Sequence, residues 1–257
     1  MIDDVRLRRI ASEEKVSLGT IEKDFAISCA LYVISNSELR DHLIFKGGTA
    51  IKKVYNPDAR FSEDMDFTVS AMTEEEAIFS LRELFSDRNV EAISFGRAYE
   101  ERFSQSGRSL RLPFTGPLEF RNSIKVDLSF RGDLILEVRE LPVLSKYGES
   151  VSSTVYILEF IELIAEKLRA LMSRGYPRDY YDVWFHIDGI QDKDYLKALT
   201  KRKCSIIDLE YKPSNIFDEA ILTRVESEWK TKLQHLLPHY IHFKNVLSDL
   251  KVKLDFL

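Results

Sequence analysis

Ser62-Glu63-Asp64-Met65-Asp66-Phe67, together with the upstream Phe45-Lys46-Gly47-Gly48-Thr49, decides how this chain is read. An Asp-x-Asp pair between apolar residues predicts a strand, in which side chains two positions apart point to the same face. Asp64 and Asp66 then stand side by side, and two ionised carboxylates at that spacing repel unless a cation accompanies them. Magnesium is the expected guest, with manganese as its substitute, because one or two carboxylates plus substrate phosphates supply the hard oxygen ligands it takes. The tandem glycines Gly47 and Gly48 permit a tight turn with exposed amides, and a helix starting near Thr49 points its positive end at an anion. Phosphate on one side and metal on the other are the minimal equipment for phosphoryl or nucleotidyl transfer. Taken singly, each piece has a plainer reading: an ordinary strand-to-helix turn, and the solvated face of an edge strand. The turn is neither a Walker loop, which needs G-x-x-x-x-G-K-[ST], nor a dinucleotide fingerprint, which needs G-x-G-x-x-G.

Around this stretch the pattern is mixed. The N-terminal region reads as helix, with Thr20 as a cap for Ile21 to Ser35. Leu43 to Lys46 reads as a strand and Ala50 to Tyr55 as a short helix stopped by Asn56-Pro57. Thr73 and Glu76 form a capping-box start for the helix through Phe79 and Leu84. Strand-like runs separated by Gly107, Pro117, Gly132 and Pro142 fill the stretch from Val90 to Leu144, and from Ser153 onward the period becomes helical. The expected fold class is α+β: a mixed β-sheet core with N-terminal helices over residues 1–152, and a helical domain over 153–257 that closes the active cleft.

With 257 residues, 44% hydrophobic and 31% charged, the chain has the apolar content to fold and is near the upper limit for a single core. No apolar run reaches the length of a membrane span, and the opening Met1-Ile2-Asp3-Asp4 lacks a signal core, so a cytoplasmic protein without membrane contact is expected. Cys29 and Cys204 have no metal-ligand spacing and read as inert thiols. A net charge of -5 argues against a general nucleic-acid coat but leaves room for a local patch. Arg97, Arg102, Arg108, Arg111, Arg121, Lys125 and Arg131 are interleaved with Glu100, Glu101, Glu119 and Asp127, either as a solvated sheet face or as a path for a phosphate backbone.

Three further groups bear on the chemistry. In Lys125-Val126-Asp127-Leu128-Ser129-Phe130, alternation puts Lys125, Asp127 and Ser129 on one face and the apolar residues on the other. That face is either solvated or, if the strand lies beside the one bearing Asp64 and Asp66, part of the same site, where Asp127 takes a proton or completes a metal shell. From Ile157 to Met172 an apolar stripe includes Phe160, Ile164, Leu168 and Leu171, and Lys167 falls at its edge, either snorkelling to solvent or reaching a junction with the sheet. In the next helix, Pro177 suits the first turn, and Asp179, Asp182 and His186 share a polar face opposite Tyr181 and Trp184. His235, His239 and His242 are interrupted by Pro238 and lack an H-E-x-x-H pattern, so no zinc site is expected there.

In order along the chain, Ile21-Glu22-Lys23-Asp24, Phe45-Lys46-Gly47-Gly48-Thr49-Ala50, Arg60-Phe61-Ser62-Glu63-Asp64-Met65-Asp66-Phe67, Ile124-Lys125-Val126-Asp127-Leu128, Glu166-Lys167-Leu168-Arg169 and Pro177-Arg178-Asp179-Tyr180-Tyr181-Asp182 resemble the motifs of the AbiEii/AbiGii-like nucleotidyltransferase toxins of type IV toxin-antitoxin and abortive-infection systems. Asp127 departs mildly from the glutamate frequent at its position. The resemblance implies a nucleotidyltransferase fold and a magnesium-dependent transfer of an NMP group from an NTP to an acceptor, an RNA 3' end such as that of tRNA. It also implies antiviral defence as the setting and a separately encoded antitoxin as partner. Carried over by position, Asp64, Asp66 and Asp127 are the metal ligands and catalytic carboxylates, joined in catalysis by Lys167 and Asp182. Gly47, Gly48, Thr49, Lys167, Arg178 and Asp179 hold the nucleotide. The competing readings are a phosphotransferase or phosphohydrolase using the same metal site, and a catalytically silent nucleotide-binding module. So many groups suited to one phosphate argue against the last.

Overall fold

In the computed structural model, residues 2–104 and 107–257 are described, the side chains at 102–104 excepted; the Arg102 side chain named above lies outside the described residues. The chain divides into two compact units, one running to Leu158 and the other from Glu159 to Leu257. The boundary expected at 152/153 falls later because Thr154–Ile157, read above as the start of the helical region, is a strand that joins the sheet of the first unit.

The first unit opens with α1 (Asp4–Glu14) and α2 (Leu18–Ser35). Ser17 rather than Thr20 caps α2: its hydroxyl accepts from the Thr20 amide at 3.1 Å. Apolar residues surround α2 on every side, and accordingly Ile21, Phe25, Ala26, Ile27, Ala30 and Leu31 are all fully buried. Next come β1 (Leu43–Lys46), α3 (Gly47–Ala50), β2 (Asp64–Val69) and α4 (Glu74–Leu84), the last with the Thr73/Glu76 capping box in place. The remaining strands are β3 (Asn89–Val90), β4 (Ile93–Phe95), β5 (Tyr99–Ser104), β6 (Gly107–Thr115), β7 (Arg121–Ser129), β8 (Arg139–Pro142) and β9 (Thr154–Ile157). Among the described residues they make one mixed sheet in the order β3-β4-β6-β7-β2-β1-β9-β8, with β5 also paired to β6. β2 runs parallel to β7 and antiparallel to β1. Period-two alternation sends Phe45, Met65, Phe67, Leu110, Leu112, Val126 and Leu128 into the core.

Two acidic residues of α2 face inward and are matched there. Glu22 Oε1 accepts from the Leu118 amide at 2.8 Å, at the turn between β6 and β7. Burial pushes this carboxyl above its usual range. A Cβ at Gly116 would come within 2.6 Å of the same oxygen, so the turn approaches Glu22 as only glycine allows. Asp24 receives the Lys53 ammonium at 2.6 Å and the Tyr147 hydroxyl at 2.7 Å, and Lys53 also donates to Ser28 Oγ. Lys53 lies in the π-helical turn Ile51–Tyr55 that continues α3, where the Asn56 amide reaches back to the Ile51 carbonyl. That wider turn directs both Lys52 and Lys53 inward.

The second unit contains α5 (Phe160–Ser173), α6 (Pro177–His186), α7 (Lys193–Ser205), α8 (Glu219–Leu233) and α9 (Phe243–Lys253). Leu163, Ile164, Leu168 and Leu171 form the buried stripe of α5. Lys203 of α7 is wholly buried, and its ammonium reaches Glu162 at 2.6 Å and Glu166 at 3.1 Å, tying α7 to α5. Both cysteine thiols are free and buried, and no described helix is long and apolar enough to cross a membrane.

Removing one member of a buried ion pair strands the other charge. Lys53→Met should therefore cost about 3 kcal/mol, and the Asp24→Asn/Lys53→Met double variant should recover part of it; urea unfolding of the three proteins measures this. Lys52 gives a pH test. Burial, partly offset by the Asp24 carboxylate, lowers its ammonium to about 8, whereas the unfolded chain keeps that proton to about 10.4. Between those values the unfolded state binds more protons, so stability gains as pH rises. Wild-type stability minus that of Lys52→Met should climb from about pH 8 toward pH 10; a flat difference would contradict the lowered value.

Candidate active site

β1, β2 and β7 bring the predicted carboxylates together by register. Lys46 stands opposite Asp66, Asp66 is level with Asp127, and Asp64 is level with Lys125. Neighbouring strands lie about 4.8 Å apart, and paired residues share a face, so Lys46, Asp64, Asp66, Lys125 and Asp127 occupy one side of the sheet. All five are partly exposed there, while the opposite side is core. The strand carrying Asp127 thus does lie beside the one carrying Asp64 and Asp66.

The glycine turn is built against this face. Gly47 has φ +80°, and a Cβ added to it would fall 2.1 Å from Asp66 Oδ2. Its lack of a side chain is required both by the backbone and by the carboxylate packed beside it. Gly48 abuts the Arg60 guanidinium, which would lie 2.9 Å from a Cβ there, and Ser62 Oγ. Arg60 is buried and donates to the Phe61 carbonyl at 3.0 Å. Thr49 is buried, and its hydroxyl donates to the main-chain carbonyl of Asp64. It braces the start of β2, so any part it takes in holding an anion falls to its backbone.

The neighbouring charges are matched in detail. Lys46 Nζ lies 3.5 Å from Asp133, which is buried and also accepts from Thr68 Oγ1 at 3.1 Å. Asp127 Oδ2 is 2.5 Å from Lys125 Nζ, and Asp127 Oδ1 accepts from Ser109 Oγ of β6. Among the described residues no three His, Cys, Asp or Glu side chains form a group able to hold a metal. Asp64 and Asp66 offer hard oxygen donors on one exposed strand face, and two carboxylates with substrate phosphates suit magnesium. The donor set therefore fits a divalent ion held by these two residues.

Of the basic residues interleaved with acids in this stretch, Arg97 pairs with Glu83 at 2.5 Å, Arg111 with Glu101 at 2.8 Å and Arg108 with Glu74. This part of the sheet is a mixed-charge surface in which those arginines are already matched.

The second unit gathers the remaining predicted residues. Lys167 Nζ of α5 lies 3.0 Å from Asp179 Oδ1 and 2.9 Å from Asp182 Oδ2 of α6, and Arg174 Nε is 3.3 Å from Asp179 Oδ2. Asp179 and Asp182 are buried, Lys167 keeps 13% of its side chain exposed, and Arg178 is half-buried. The face shared by Asp179, Asp182 and His186 therefore points inward. His186 is buried and packs edge-on against Phe160 and Phe185. Sequence reasoning missed Ser109, Asp133 and the tie between Asp24 and Lys53; strand alternation offered a signal only for Ser109.

The sequence profile of the AbiEii nucleotidyl transferase toxins of type IV toxin-antitoxin systems matches residues 29–249, most of the chain. This protein belongs to the AbiEii family. It is thereby a nucleotidyltransferase toxin by family, with a nucleotide substrate and an antitoxin partner. In fold it is similar to the nucleotidyltransferase toxin MenT4 of Mycobacterium tuberculosis H37Rv (TM-score 0.67, 20% identity, covering 98% of this chain and 99% of that one). It is also similar to JHP933 of Helicobacter pylori (TM-score 0.60, 15% identity, covering 93% of this chain and 91% of that one). A search of curated proteins gave no match.

The two glycines of this AbiEii protein should not respond alike to substitution. Gly47→Ala must strain a positive φ and displace Asp66, costing about 2–4 kcal/mol. Gly48→Ala meets the far end of the Arg60 side chain, which can shift, and should cost about 1 kcal/mol. Urea midpoints measure both; equal losses would contradict the Gly47–Asp66 packing.

Proposed function

We propose that this AbiEii protein is a divalent-metal-dependent nucleotidyltransferase that moves an NMP group from an NTP to an RNA 3' end, with tRNA the preferred acceptor. Its setting would be the cytoplasm, in phage defence. The observation that carries the reading is the placement of Asp64 and Asp66 of β2 and Asp127 of β7 on one partly exposed sheet face, Asp66 level with Asp127, with Gly47 packed against Asp66. The RNA acceptor is proposed from family resemblance.

Asp64 and Asp66 would hold magnesium, or manganese in its place, which when bound neutralises charge on the reacting phosphoryl group. The amides of Gly47, Gly48 and Thr49 would receive the NTP phosphates. The acceptor hydroxyl oxygen forms a bond to the α-phosphorus while the bond from that phosphorus to the α–β bridging oxygen breaks. The electron pair leaves with pyrophosphate, and the hydroxyl proton passes to Asp127. Lys167 is the second unit's candidate for offsetting charge on the pyrophosphate, with Arg178 in support. Asp182 and Asp179 would act by holding the Lys167 ammonium in place between uses, which their distances to it support.

Label position separates the reaction classes. With magnesium, total RNA and each NTP in turn, α-phosphate label should enter RNA, γ-label should leave as pyrophosphate, and Asp64→Asn or Asp66→Asn should lower incorporation at least about 100-fold. Lys167→Met should raise the KM for NTP more than it weakens metal binding. Transfer of γ-label would make the protein a phosphotransferase, release of nucleotide or phosphate without macromolecular label a phosphohydrolase, and retention without turnover a binding module.

A further inference from the structure

The strand face that carries the candidate site holds a positive charge of its own. Lys125 is level with Asp64, and Asp127 is level with Asp66, across the parallel pairing of β2 and β7. Lys125 and Asp127 lie two apart on β7 and point the same way, and their charged ends meet at 2.5 Å. Ser109 Oγ, from β6, donates to the other Asp127 oxygen. The third carboxylate thus has one oxygen on an ammonium and one on a hydroxyl, while each member of the pair keeps 32% of its side chain exposed.

Nucleotidyl transfer develops negative charge beside both the leaving and the attacking oxygen, and two-metal sites place a divalent ion at each. A lysine ammonium is a compact point charge that can serve the same electrostatic end. We propose that Lys125 does so here: Asp64 and Asp66 hold a single divalent ion, and the Lys125 ammonium, fixed by Asp127, replaces the second. This rests on the metal-dependent reading above. A second divalent ion at Asp127 would have to displace an ammonium that stays tethered two residues away on the same face. The site would then hold three cations, with five positive charges between them, within roughly 7 Å. Ser109 adds a second constraint, because it holds the carboxylate in the orientation that meets Lys125.

Divalent-ion stoichiometry tests this directly. Manganese bound per chain is counted by the EPR signal of the free ion, at saturating non-hydrolysable NTP analogue, with circular dichroism confirming the fold of each variant. Wild type should bind one ion per chain, Lys125→Arg one, and Lys125→Met two. The second ion should disappear again in Lys125→Met/Asp127→Asn. Two ions in wild type would overturn the inference while leaving the metal reading intact, as would one ion in a folded Lys125→Met protein. No bound manganese in any variant would overturn the metal reading and this inference with it.

Discussion

Everything at the candidate site depends on one close approach: Asp66 fills the space that a side chain at Gly47 would need. β1 delivers Lys46 opposite Asp66, and the chain must then turn at once, with positive φ, over a carboxylate. A glycine there lets the helix start directly behind the acidic strand. The same register carries on into β7, so the spacing of three carboxylates and two lysines follows from backbone hydrogen bonding rather than from flexible side chains. Thr49 reinforces the arrangement by bonding the main chain of Asp64.

Behind the face, α2 performs the anchoring. Glu22 fixes the turn that leads into β7, and Asp24 fixes the helical segment that follows the glycine turn. Buried charges are costly unless matched, and here each match also sets the position of an element that carries a site residue. The second unit uses the same economy of pairing, with Lys167 bridging Asp179 and Asp182, and Lys203 bridging Glu162 and Glu166. Glu22 and Asp24 thus hold elements of the sheet unit in place rather than standing at the partly exposed face.

The sequence made the faces legible more readily than the partners. Period two placed Asp64 with Asp66 and Lys125 with Asp127, but no periodicity says which strands lie adjacent; that came from the fold. β9 escaped because four residues, Thr154–Ile157, adjoin a long helical pattern and are too short to announce a strand of their own. The start of α2 shifted because Ser17 and Thr20 are both suitable caps, and the hydroxyls bond each other at 2.8 Å. The spacing of Asp179 and Asp182 identified a shared face correctly, but not that the face is buried. Its burial depends on countercharge from Lys167 and Arg174, which helical spacing within α6 cannot reveal. Asp133, in an irregular segment, gave no pattern at all.

The proposed divalent ion would be held by Asp64 and Asp66, and its position can be mapped. Iron(II) substituted for magnesium, with ascorbate and peroxide, cleaves the backbone beside its binding site, and mapping the fragments locates that site on the chain. Cuts are expected in residues 46–49 and in β2 (Asp64–Val69), and should be lost in Asp66→Asn. Cleavage confined to the segment holding His235, His239 and His242, or a pattern unchanged by Asp66→Asn, would contradict it.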